Sequence, residues 1–151
     1  MRMCEEAGVR PVSDDGYLEV MTRAIFTAGL NWRVIDGKWP GFQQAFRDFA
    51  IDQVANLPPE EVDRLASDPT IVRNYRKIAA TVENARRLKQ LSAEHGSVGA
   101  YIDLLQSQGD EELMTTLSHQ FGFLGPGTAR SFLVATGHLA PDQSRPVGAL
   151  R

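Results

Sequence analysis

Apolar residues in this chain return every three or four positions and rarely every second one. Leu18, Met21, Ile25 and Ala28 make one such stripe; Phe42, Ala45, Phe46 and Phe49 make another; Ile78, Val82, Ala85, Leu88 and Leu91 a third. That spacing follows the helical turn of about 3.6 residues and gathers each set on one buried face. The fold class expected is therefore all-α, with eight to ten mostly short helices. A chain of 151 residues, 42% of them hydrophobic, suffices for one core. No apolar run nears the roughly 20 residues that cross a bilayer.

Local signals set the expected boundaries. Residues 1–12 read as a loose leader, 13–140 as the helical domain, and 141–151 as a mobile tail carrying two prolines. Ser13-Asp14-Asp15 starts the first helix and Gly29 stops it. Asn31 caps a short successor with Trp32, Val34 and Ile35, and Trp39-Pro40-Gly41 reads as a turn. Asp52 caps a short turn through Val54 and Leu57, and Pro58-Pro59 opens the next helix. Asp68-Pro69 breaks the chain and begins a short helix holding Ile71 and Val72. The longest helix runs from about Arg76 to Glu94, closed by Gly96, with Ser97 capping the next. A weaker helix over roughly 110–119 leads to Phe121-Gly-Phe-Leu-Gly-Pro-Gly-Thr128 and a final helix to about Thr136.

Composition narrows the chemistry. The net charge is −3, so nucleic-acid binding has to come from a local patch. Cys4 is the one cysteine, and His95, His119 and His138 lack the spacing of metal ligands. No metal and no cofactor are expected. The opening Met1-Arg-Met-Cys-Glu-Glu has no apolar signal region, and a cytoplasmic, nucleoid-associated location is expected.

Three features carry possible function. Gly125-Pro126-Gly127 ahead of a helix is either a tight interhelical turn or an anion site, in which free amides at the helix start meet a phosphate and Arg130 joins from the first turn. Arg73, Arg76, Lys77, Arg86, Arg87 and Lys89 form a basic cluster, either phosphate-attracting or the solvated face of a helix. Ala28-Gly-Leu-Asn-Trp32 places Leu30 and Trp32 beside a flexible glycine: core residues, or a wedge for a base stack and a platform for an extruded base.

Taken in order, Val20 through Trp32, Ile71-Val-Arg-Asn-Tyr-Arg-Lys-Ile78 with Asn84-Ala-Arg86, and Phe121 through Gly125 with Ser131-Phe132 and Gly137 resemble the 3-methyladenine DNA glycosylase I family, of the helix-hairpin-helix DNA glycosylase superfamily. The resemblance covers roughly residues 17–140. It implies a helical fold in two lobes with the base pocket between them, and a monomer acting on duplex DNA with a damaged base. Gly29 and Leu30 would fill the gap left by a flipped nucleotide, and Trp32 would line the pocket. Leu124, Gly125, Gly127 and Thr128 would hold phosphate through the backbone, with Arg130, Arg73, Arg76 and Lys77 near. Tyr17, Phe26 or Trp39 would offer a second aromatic face.

The chain departs from the family in two places. The family's pocket glutamate falls on Ala24, and its N-terminal segment with pocket tyrosines and a zinc-binding Cys/His pair has no expected counterpart. A cationic 3-alkylated adenine leaves as a neutral base, so extrusion and placement supply much of the catalysis. Asp36, one helical turn beyond Trp32, and Asp142 are the carboxylates within reach of a catalytic role. The superfamily's nucleophilic lysine position falls on Ala129, against a Schiff-base lyase. The expected activity is a monofunctional base-excision glycosylase. Its rivals are a non-catalytic DNA- or lesion-binding protein of the same fold and a helical protein-interaction domain.

Overall fold

The structure, a computed structural model, describes residues 8–141. Eight α-helices follow one another: α1 Asp14–Thr27, α2 Trp32–Ala45, α3 Ile51–Ala55, α4 Pro59–Leu65, α5 Tyr75–His95, α6 Val98–Gln106, α7 Asp110–Gln120 and α8 Pro126–Ala135. Among the described residues there is no strand. No described helix is long and apolar enough to cross a membrane.

α5 packs against α1, α3, α4 and α6, while α8 packs against α1 and α7. Helices α2–α4 and α6–α8 thus make two groups joined through α1 and α5. The stripes read from the sequence point into the shared core, where Leu18, Ile25, Phe42, Phe46, Ile78, Ala85 and Phe132 are fully buried; Ala28, expected on the first stripe, is exposed because α1 ends before it. The two carboxylates that open α1 do more than complement its dipole. Asp14 accepts from the Val98 N–H (3.0 Å) and Asp15 from the Ile51 N–H (2.9 Å), each capping the first residue of a neighbouring helix.

Four expectations change. Trp39-Pro40-Gly41 is no turn, because α2 runs straight through it. Pro40 has no N–H to give to the helical ladder. Packing offsets that loss: Trp39 stacks on Phe42 (4.9 Å between centroids) and Phe49 (5.4 Å), and Gly41 lies so close to Thr70 that a Cβ would fall 2.3 Å from its carbonyl oxygen. Asp68-Pro69 begins no helix. Asp68 accepts from the Thr70 N–H and hydroxyl (2.8 and 2.6 Å), closing a side-chain-stabilised turn instead. Asp52 sits inside α3 rather than capping it; Ala50 is the capping residue. The expected loose leader is held from Gly8 onward, where the Gly8 N–H donates to the Val134 carbonyl (3.1 Å) and Arg10 pairs with Asp103 (2.9 Å).

Arg47, Asp48 and Phe49 all have positive φ (56°, 56° and 58°), a single left-handed turn between α2 and α3. Such a conformation costs about 1–2 kcal/mol per residue. The turn delivers Phe49 into full burial against Trp39 and Phe46, a gain of about 2–3 kcal/mol that offsets much of it.

Candidate DNA-binding site

The turn after α1 is built from its own backbone. The Ala28 N–H donates to the Ala24 carbonyl (3.1 Å), and the Leu30 N–H to the Thr27 carbonyl (3.0 Å). Gly29 between them has φ +80°, which a side chain would resist. Asn31 then caps α2, accepting from the Arg33 N–H at 2.8 Å. The tip is open: Leu30 is 44% exposed and Val34 46%, while Trp32 is half-buried with the Arg33 guanidinium 5.0 Å from its ring centroid.

The loop before α8 differs from expectation in its starting point. α8 begins at Pro126, not near Thr128. Proline has no N–H, so it wastes none at a helix start. The amides of Leu124, Gly125, Gly127 and Thr128 donate to no carbonyl among the described residues, whereas the Ala129 N–H closes the first helical bond onto the Gly125 carbonyl (2.7 Å). Arg130 falls one turn further along α8 than expected and is half-buried.

Neither hairpin glycine is needed to make the turn. Gly125 has φ −64°, Gly127 lies within the helix, and a Cβ on either would meet nothing within 4 Å. The strained residue of this loop is Phe123, with φ +62° and 44% of its surface exposed. Nothing among the described residues therefore requires glycine at 125 or 127.

α5 holds both features. Arg76, Ala80 and Asn84, four apart on one face, all meet the hairpin: the Arg76 guanidinium lies 5.9 Å from the Phe123 ring centroid, a Cβ on Gly122 would stand 3.2 Å from the Ala80 Cβ, and Asn84 exchanges two hydrogen bonds with Gly122 (2.9 and 3.2 Å). From the adjoining face, Lys77 donates to the Ile25 and Ala28 carbonyls (2.9 and 3.1 Å). The open turn and the glycine hairpin thus share the N-terminal half of α5.

The basic cluster divides along the same helix. Arg86 bonds the Ala55 carbonyl and pairs with Glu83, and Lys89 pairs with Asp52. Lys77 is turned inward, away from the phosphate role expected of it, because two carbonyls at the end of α1 accept its hydrogen bonds. Arg76 stays exposed against Phe123 of the hairpin and Arg73 is exposed just ahead of α5, neither with a carboxylate partner among the described residues.

Other expected site residues lie elsewhere. Phe26 is fully buried, edge-on to Phe42 at 4.8 Å. Tyr17 is 2% exposed, its hydroxyl 2.7 Å from His138 Nε2. In this conformation neither presents a ring face to a ligand, since the apolar stripe of α1 is spent on the core. Trp39 is buried too, its indole N–H donating to Glu19 (2.9 Å). Ala24 is buried at 4% exposure. Asp36 pairs with Arg23, so its charge is already countered. Asp142 and Cys4 fall outside the described residues. Among the described residues no three His, Cys, Asp or Glu side chains converge, and the donor set does not fit a zinc site.

Sequence reasoning passed over Phe123, Tyr75 and Asn84. Tyr75 opens α5 with half its surface exposed, beside Arg76. Asn84 is 2% exposed; a polar residue on the buried side of a long amphipathic helix is the signal that marks it.

Comparison with known proteins agrees with the helical fold. A solved 3-methyladenine DNA glycosylase I from Staphylococcus aureus, described for its recognition of 3-methyladenine, superposes with a TM-score of 0.75 at 26% identity, covering 95% of this chain and 89% of that one. A tyrosine-to-phenylalanine variant of a 3-methyladenine DNA glycosylase I in complex with 3-methyladenine gives 0.76 at 25% identity, covering 96% and 89%. DNA-3-methyladenine glycosylase 1 of Escherichia coli strain K12 is 36% identical over 64 residues, 42% of this chain; the aligned part spans only 34% of that relative's length. The family model described as methyladenine glycosylase matches residues 5–120, ending where the hairpin loop begins. With this helical frame and that match over most of its length, the chain belongs to the methyladenine glycosylase family.

Proposed function

We propose that this protein is a monofunctional DNA glycosylase that binds duplex DNA, extrudes a 3-alkylated purine and lets water cleave its N-glycosidic bond. The observation that carries the reading is the pair of hairpin glycines that no internal contact requires, fixed by α5 to the exposed Leu30 turn. In this reading the amides of Leu124, Gly125, Gly127 and Thr128 receive a phosphate, with Arg73 and Arg76 adding charge. Leu30 fills the gap in the stack and the half-buried Trp32 receives the base. The substrate's own cation weakens the bond to be broken, and an indole face favours that cation by about 0.5–2 kcal/mol. Catalysis then rests on extrusion and placement, and no side chain is assigned as acid or base.

Ala24 supports a second reading, a lesion-binding protein without catalysis, because it stands where the resemblance places a pocket glutamate. One experiment separates them: release of free base from methylated duplexes by excess protein, resolved by chromatography, beside Trp32→Ala. The glycosylase reading expects free 3-methyladenine and no strand nicking, with the variant slower by about 10- to 100-fold, the worth of one stacking contact. Tight binding to an abasic duplex without base release selects the second reading. No duplex affinity even at low salt sinks both and leaves the helical protein-interaction domain.

A further inference from the structure

Lys77 belongs to α5, yet its ammonium ends on the backbone of the wedge turn. Helix α1 leaves its last carbonyls without helical partners. The Ala24 and Thr27 carbonyls are taken by the turn's own amides, Ala28 and Leu30. Those of Ile25 and Ala28 are taken by Lys77 Nζ, at 2.9 and 3.1 Å. The ammonium also sits 5.7 Å from the Phe26 ring centroid, and burial holds its pKa below the ordinary value. Beyond this anchor the turn has little support, since a Cβ on Gly29 would meet nothing and Leu30 is 44% exposed. Seven residues further along, the same helix carries Asn84 and grips the hairpin at Gly122.

We propose that Lys77 is a positioning residue for Leu30. By tying the last turn of α1 to α5, it sets where the leucine stands relative to the amides of the hairpin, and so relative to a phosphate held there. This rests on the reading of Leu30 as the residue that enters the duplex. Lys77 itself touches no DNA. A leucine on an untethered turn still reaches the stack, but the ordering has to be supplied at binding, and lesion discrimination falls.

The test uses Lys77→Met, which keeps the aliphatic stem and removes the donors, beside Lys77→Arg and Leu30→Ala. In the free protein, backbone amide exchange at Ala28 and Leu30 should quicken about tenfold in Lys77→Met, as expected on losing charged hydrogen bonds, with the Gly122 amide unchanged. On DNA, the preference for an abasic over an intact duplex should fall about tenfold, as it does in Leu30→Ala, and the double variant should fall no further. Lys77→Arg should recover part of it. The salt dependence of binding to intact duplex should stay as in wild type.

If Lys77→Met instead weakens both duplexes equally and lowers the salt slope by about one, Lys77 is a phosphate contact and the proposal is overturned. Unchanged exchange at Ala28 and Leu30, with the wild-type abasic preference present, overturns the assignment of Lys77 alone. A wild-type protein with no abasic preference overturns the wedge reading on which it rests.

Discussion

The Gly29 turn and the glycine hairpin look alike in sequence, each a glycine-bearing link between two helices, but the backbone demands glycine only in the first. Gly29 is demanded by the backbone: φ +80° is a region in which a side chain is strained. Gly125 and Gly127 have no such demand, and the left-handed residue of their loop is Phe123. Their supports differ as well. A lysine from α5 anchors the first through carbonyls, and an asparagine anchors the second through a full amide pair. A glycine that the backbone demands is thus separable by φ from glycines that it does not demand, even though a Cβ would meet nothing at any of the three.

That difference has measurable consequences. Asn84→Ala should have the largest effect on stability. It removes both bonds to Gly122 at a nearly buried position and should cost about 2 kcal/mol in denaturant unfolding, with duplex affinity falling alongside. An unchanged midpoint would show that the hairpin is held by other contacts. Gly29→Ala should lower stability by about 1–2 kcal/mol, the strain of a side chain at that φ. Gly127→Ala should do the reverse, gaining about 0.5–1 kcal/mol within the helix while weakening binding to intact duplex. Equal losses of stability in the two alanine variants would erase the distinction drawn between them.

The smallest effect should come from pH and should touch neither feature. His138 is buried near the C-terminal end of α8, its Nε2 by the Tyr17 hydroxyl and its Nδ1 3.3 Å from Arg10 and 3.5 Å from Asp103. Burial first, and then the Arg10 guanidinium, hold its pKa below the ordinary value, against the opposing pull of Asp103. The unfolded chain therefore takes up the proton at a higher pH than the folded one. Stability is lost as pH falls below about 6.5, until the folded-state value is passed. Melting at pH 5 against pH 7 should show a loss of Tm that His138→Gln no longer has. The abasic-to-intact preference should not follow it, since His138 lies off both the wedge and the hairpin.

Much of the helical frame was legible because its signals are local. Asn31 and Ser97 accept the helix-start bonds expected of them, Gly96 ends α5 at φ +92°, and the apolar stripes are buried apart from Ala28. The site was legible in part. The open turn at Leu30 and the loop before α8 were legible from glycine next to apolar residues, whereas the contacts of Phe123 and Asn84 were not, because they join segments about 40 residues apart.

What the sequence determined alone, then, is what a residue and its near neighbours decide together: helical period, caps, stops, and the order of glycine-bearing links. Tertiary structure decided the rest. Stacking of Trp39 on Phe49 and the closeness of Gly41 to Thr70 carry α2 through a proline that would otherwise break it. Two unpartnered carbonyls at the end of α1 turn Lys77 inward from a basic cluster that looks uniform along the chain. In both cases the deciding energy comes from groups far apart in sequence, brought together only once the core has closed.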